Sequence, residues 1–393
     1  MRNTLLAIVL LATTSVLVAA QASAAEVDFS GNGQFWYRYN DYGVCDKTTG
    51  VCQQMSDSAF MLKRARLKMD ADLTNVVSFF SQVDFTGGPE LGAMTTPLQV
   101  DFWTTLKFHK FFQFTAGQFI IPIGYEGPRA PYDFELVTYS LIWGPGRTYA
   151  GQQLGFFPYL RDLGAYFHGD IHGFNYRVGV VNGQGIYQSE SILKGGNKWK
   201  DVFGRAGYHK KLGEKGSVGG GISYYGGWEG SAEEYDLIYK KMRLGVDAKF
   251  EFKGLLAVAE YMYGITEVMD TEKTTATSIA IRPIESWGTY IMLGYTIPGK
   301  VKLQPIVRFD YLDTDGRGVP RPDLMDGDMA LQRQGIMGIT GGVNYYFSKN
   351  AKMTLVYERL IPQDGLSKQY TNLDNEPQDI VEDQLILQLG VSF

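Results

Sequence analysis

Apolar and polar residues alternate along almost the whole chain. In "DQLILQLGVSF", Leu385, Leu387, Leu389, Val391 and Phe393 share one parity, and Gln384, Gln388, Gly390 and Ser392 take the other. A two-residue period is a strand with one apolar and one polar face. "VDFSGNGQFWYRYN" sets Phe29, Phe35, Tyr37 and Tyr39 against Asp28, Asn32, Gln34 and Arg38. "FMLKRARLKMDAD" sets Met61, Ala65, Leu67 and Met69 against Arg64, Arg66, Lys68, Asp70 and Asp72. "VVSFFSQVDF", "LQVDFWTTLKF" and "FQFTAGQFI" follow. Further runs begin near Leu163, Phe174, Val202, Val218, Ile238, Leu255, Trp287, Val301, Met337, Met353 and Gln384. The pattern predicts about sixteen strands.

The connections alternate in length. Leu73 to Asn75, "HGDIHG", "LGEKGS", "FKG", "IPGK" and "FSKN" are short, whereas Asp41 to Asp57, Ile123 to Leu160 and Asn182 to Trp199 are long. An even strand number with short turns at one end and long loops at the other describes an all-β, 16-stranded antiparallel transmembrane β-barrel. Apolar residues then face lipid and polar ones face the lumen. A soluble β-sandwich inverts this and hides its apolar residues in a shared core. Aromatics at strand ends, the loop rhythm and the terminal aromatic strand favour the barrel. The closing strand at Phe393 is expected to pair with the first strand near Val27, which leaves no open edge. Leu387 then faces lipid, where arginine is costly. Gln388 faces the lumen, where arginine should be mild.

The start of the chain adds a destination. Arg2, an apolar stretch from Leu5 to Ala20 and the small residues Ala22-Ser23-Ala24 read as a secretory signal peptide over 1–24, leaving a barrel domain over 25–393. No later apolar run is long enough for a spanning helix. Tyr (25), Phe (23) and Gly (47) are abundant while charged residues are only 20%, which suits girdles and curved sheets. The formal charge of −5 and the lack of a basic patch argue against nucleic acid. The expected location is the outer membrane of a Gram-negative cell, with its lipid and lipopolysaccharide as surroundings.

Two stretches, "FMLKRARLKMDADLTNVVSFFSQVDF" and "FQFTAGQFIIPIGYE", resemble the phosphate-selective porin O and P family. The resemblance spans nearly all of the mature chain. It implies sixteen strands, a homotrimer and a constriction loop after the fifth strand. The terminal aromatic strand also resembles the tag read by outer-membrane assembly machinery, through Phe393. The residues agree on the loop: Phe134, Leu136, Tyr139, Leu141, Ile142 and Trp143 are too apolar to wave in water, and packing inside the barrel would cover them.

Anion selectivity arises where Arg or Lys rings a narrow, low-dielectric passage. Arg38, Arg64, Arg66 and Lys68 are the candidates on the wall, and Arg129 and Arg147 the candidates from the loop. Lys107, Arg177, Arg205, Lys241, Arg243 and Arg308 also take the inward parity, as do Asp70, Asp84, Asp101, Asp247, Glu260 and Asp310. Some of these must pair across strands. From Gly117 through Asp162 there is no lysine, and Glu126, Asp133 and Glu135 accompany the arginines. That reads as a channel for small, anionic solutes in general, with phosphate-like solutes as one case. Cys45 and Cys52, with six residues between them in an exported loop, suggest a disulfide. The four histidines stand near turns without a nucleophile, and "LDTDGRG" lacks the later ligands of a calcium loop. No enzyme, metal or cofactor is expected. The alternative function is a barrel sheath that docks a partner such as a multihaem cytochrome. Such a sheath would need a wide bore and no apolar loop across it.

Overall fold

The computed structural model describes residues 26–45, 52–86, 98–144, 148–149, 152–153, 155–157, 160–183, 185, 199–229, 239–269, 281–299, 302–314, 334–362 and 382–393. The leader expected over 1–24 lies outside them. Sixteen strands close a barrel: β1 Glu26–Cys45, β2 Cys52–Asp72, β3 Val77–Asp84, β4 Leu98–His109, β5 Phe112–Ile120, β6 Arg161–Ile171, β7 Phe174–Val181 and β8 Asp201–Lys211 form the first half. β9 Gly216–Glu229, β10 Tyr239–Phe252, β11 Leu255–Met269, β12 Ile281–Tyr295, β13 Lys302–Thr314, β14 Gln334–Tyr346, β15 Ala351–Pro362 and β16 Glu382–Ser392 form the second. Each pairs antiparallel with its neighbours in sequence, and β16 pairs with β1 from Asn32↔Ser392 to Asp41↔Asp383. Phe393 exchanges two backbone hydrogen bonds of 3.1 Å with Gly31, so pairing runs to the last residue. Among the described residues no helix is long and apolar enough to cross a membrane.

Parity sorts inside from outside as the alternation requires. Phe29, Phe35, Phe60, Leu385, Leu387, Leu389 and Val391 are exposed on the outer face, while Asn32, Gln34 and Gln388 are buried on the inner one. β2 breaks the rule once. Gln34 pairs with Arg64 but Phe35 pairs with Leu62, so Lys63 is an extra residue in a β-bulge. The bulge inverts parity on its far side. Phe60 therefore points outward, and Met61, expected on the lipid face, packs against the interior cluster instead.

That interior cluster is the other departure from an empty pipe. The connection from β5 to β6 folds back into the barrel: Leu141, Ile142 and Trp143 are fully buried, and Phe134, Leu136 and Val137 nearly so. They meet inward apolar residues of the wall, including Met262, Leu312, Val356 and Ile386. Gln388 is buried and accepts a 2.7 Å bond from Nε1 of Trp36, a member of this cluster. It does face inward, but it does not face water, so the expectation that arginine is mild there fails.

Candidate functional site: the lumen and its loop

Pro122 has no backbone N–H and ends β5. Gly124 then turns the chain inward with φ +68°. The two ends of the loop are tied by Ile121 N–H to Leu160 O at 2.8 Å. Gly124 N–H donates to Ser223 Oγ at 2.9 Å, Tyr125 N–H to Glu260 Oε1 at 3.0 Å, and Trp143 Nε1 to Glu260 Oε2 at 2.9 Å. A Cβ on Gly124 would stand 2.1 Å from the Trp143 ring. Gly124→Ala therefore combines left-handed backbone strain with a clash. It should lower stability by more than about 1 kcal/mol, read as a lower midpoint for loss of the heat-resistant folded band on gels.

Farther along, the loop is held by the opposite wall. Arg308 Nη1 donates to Thr138 O at 2.8 Å and Nη2 to Tyr139 O at 3.0 Å. The same guanidinium is 2.7 Å from Asp310, 3.5 Å from Glu358 and 3.7 Å from Glu126. Asp310 accepts Leu141 N–H at 3.1 Å. Burial pushes the Glu126 carboxyl above its usual range, against the pull of Arg308 and of the Ser140 hydroxyl and N–H that bond it. Asn344 donates to Glu135 O at 2.8 Å, Lys352 to Phe134 O at 2.6 Å, and Tyr132 to Ser392 Oγ at 2.7 Å. The loop thus bonds to side chains of β9, β11, β13, β14, β15 and β16. Backbone groups of an irregular segment need such partners wherever water is excluded.

The candidate cations divide into two sets. Arg66 is held by Asp84 at 2.7 Å, with both side chains buried, and Arg129 by Glu135 at 2.8 Å within the loop. Their charges are matched. Arg64 is also buried, but its Nη1 bonds the neutral Gln34 at 2.8 Å and its Nε has no partner. Arg38 likewise has a buried, unpartnered Nε. Lys68 makes no ion pair among the described residues. Arg147 lies outside them. Lys63, not singled out from the sequence, joins the unmatched set: the bulge brings it inside with its Nζ 5.0 Å from the Trp36 ring centre. The sequence did hold a signal. Adjacent Lys63 and Arg64 cannot alternate without one facing lipid, where a cation costs about 2–4 kcal/mol at mid-depth. A bulge resolves the conflict.

From the loop, Tyr139 approaches this wall. Its hydroxyl is raised by burial, against the lowering fields of Arg64, Arg161 and Arg66, so it stays neutral. Arg161 is itself matched by Asp101 at 2.9 Å. Cys45 and Cys52 are direct partners in the β1–β2 register, and their side chains are outside the described set.

The wall and inward-folded loop invite comparison with known channels. Residues 11–361 match the family model described as Gram-negative porin. No curated protein matches the chain in sequence. Solved structures share its fold. The anion-selective porin from Comamonas acidovorans is similar over 94% of this chain and 100% of its own, at 11% identity and TM-score 0.58. The outer membrane channel DcaP of Acinetobacter baumannii is similar over 95% and 100%, at 13% identity and TM-score 0.58. OmpT of Vibrio cholerae, in a trimer form, is similar over 94% and 100%, at 12% identity and TM-score 0.53. With the family model covering most of its length, the chain belongs to the Gram-negative porins.

Proposed function

We propose that this porin is a diffusion channel with a mild preference for small anions, set by Arg38, Lys63 and Arg64 on the β1–β2 wall. One observation carries the reading. These three inward cations have no carboxylate partner among the described residues, whereas Arg66, Arg161, Arg205, Lys241 and Arg308 each have one. Unmatched charge beside an apolar loop acts through few intervening waters, so its field is weakly screened. Lys68 extends that field along β2. Arg66 and Arg129 serve chiefly to hold their acid partners, and Arg147 is a further loop contributor. A phosphate-like solute is one member of the anion class, and the similar fold of a porin described as anion-selective is consistent with it.

The loop core in the lumen also speaks against a sheath around a folded partner, because it fills the bore that a cytochrome would need. The chain is proposed to assemble as a homotrimer, as OmpT occurs in a trimer form. Its outer face meets lipid and lipopolysaccharide, and the Phe393 strand is the contact for assembly machinery. A Cys45–Cys52 disulfide would close the β1–β2 hairpin, since directly opposed residues bring their Cβ atoms within bridging range.

The test is the zero-current potential of the reconstituted protein in a potassium chloride gradient. Replacing Arg38, Lys63 and Arg64 together with Gln should move it toward cation preference, more strongly at 0.01 M salt than at 1 M, where the screening length falls from about 30 Å to about 3 Å. An unchanged potential at low salt would assign the three cations to structure alone.

A further inference from the structure

A second basic cluster, two arginines and a histidine, lies on β6 to β8, four strands on from β2. Register alone assembles it. His168 is the direct partner of Arg177, and Arg177 is the direct partner of Arg205. The three side chains form one row across adjacent strands, with Cβ atoms about 5 Å apart between neighbours. They face the lumen, since Phe167, Val178 and Tyr208, of opposite parity on the three strands, are exposed outside. Arg177 and Arg205 are directly opposed like charges, which disfavour a sheet unless something compensates them.

Compensation is present for only one. Arg205 is gripped by both oxygens of Asp247, and its Nη1 bonds Ser223 Oγ at 3.0 Å. Arg177 has no ion pair or hydrogen bond from its side chain among the described residues. His168 is oriented by a hydroxyl chain: Thr105 Oγ1 lies 2.8 Å from Thr115 Oγ1, which lies 3.0 Å from His168 Nε2. Its second ring nitrogen has no partner among the described residues.

The row also has a defined place. Ser223, which bonds Arg205, also takes the Gly124 N–H where the loop enters the lumen. Arg177 is close to the short turn at His172–Gly173. The row therefore lies between the loop and the short-turn mouth. Arg64 is much farther up β2 from its own short turn.

We propose that Arg177, with His168 beside it, is a second anion station that binds a small oxyanion on the short-turn side of the loop. A guanidinium offers a planar fork of donors, which suits two oxygens of one oxyanion and is wasted on a spherical halide. His168 would add a third donor at the edge of the fork. The first station, at Arg38, Lys63 and Arg64, sets which sign of charge enters. The second retains oxyanions that have passed the loop and gives the channel a preference among anions. This rests on the channel reading above but is separable from it.

Sulfate is a suitable probe, because it remains a dianion across the neutral range. The measurement is the sulfate concentration that half-blocks chloride current through the full-length protein in planar bilayers, with sulfate added to each side in turn. Block should be stronger from the short-turn side. Arg177→Gln should raise the half-blocking concentration about three- to tenfold from that side. It should leave the sign of the zero-current potential in potassium chloride as it was. Arg177→Lys keeps the charge and the fold but loses the fork, and should also weaken sulfate block while leaving chloride conductance intact. Unchanged sulfate block in Arg177→Gln would overturn the proposal. So would wild-type block in Arg177→Lys, since diffuse charge would then suffice. If the Arg38, Lys63, Arg64 triple variant keeps its potential while Arg177→Gln loses block, the first reading fails and this one stands.

Discussion

Arginine at Leu387 is expected to destabilise the barrel by about 2–4 kcal/mol. Leu387 sits midway along β16, exposed on the outer face, with Tyr37 and Leu355 as its direct neighbours on the two flanking strands. A guanidinium there has no polar partner in reach except by bending toward the headgroups. As a Gram-negative porin with this fold, the chain crosses the outer membrane by its strands, so the surroundings of Leu387 are lipid tails. Ser78→Arg is the matched control. Ser78 is inward, half-buried, and the direct partner of Asp72, so its replacement should change stability by no more than about 0.5 kcal/mol. Urea titrations of the protein folded into lipid vesicles would check both. Equal losses would mean that inside and outside have been exchanged.

Gln388 would have been the natural control on sequence grounds, and it shows where reading the chain stops. Alternation reports which side of the sheet a residue takes, and it is right that Gln388 points inward. It does not report what waits there. Gln388 is buried and bonded to Trp36, so a guanidinium must break a buried hydrogen bond and find room in a packed layer. Strand number, closure at Phe393 and the inward fold of the apolar loop were legible because each is written as a periodic or compositional excess. The role of Arg308 was not. In sequence it is one more inward cation on an alternating strand, indistinguishable from Arg177. Only the loop's return path makes one an anchor and leaves the other unmatched. Lys63 was hidden by strict parity, although its adjacency to Arg64 was the clue. Arg66 and Arg64 carry the same charge on the same face, yet Asp84 neutralises one and not the other because β3 pairs Asp84 with Arg66.

Arg308 therefore carries the second large effect. It is almost wholly buried and joins three carboxylates, Asp310, Glu358 and Glu126, to two loop carbonyls. Arg308→Met keeps much of the apolar stem but removes every donor. Asp310 and Glu358 then lose the guanidinium they share, and the carbonyls of Thr138 and Tyr139 lose their partner. Removing one side of such a network costs about 3–5 kcal/mol. The barrel has two ways to absorb this. It can lose stability as a whole, or it can release the middle of the loop and let water reach the carboxylates. The backbone ladder is closed all round and does not depend on the loop, whereas the loop's hold on β13 rests on this residue and on Asp310, which it pairs with. Release is the expected course. Single-channel conductance should rise, solutes larger than those admitted by the wild type should permeate liposomes, and the folded band on gels should persist at moderate temperature. A paired Arg308→Met, Asp310→Leu variant tests the cause, because it removes an orphaned charge along with its partner. If uncompensated charge drives the release, the double variant should recover part of the lost stability and some of the narrow conductance. If the single variant keeps wild-type conductance and size limit, the loop is held by its apolar layer at Leu141, Ile142 and Trp143, and the Arg308 network is secondary.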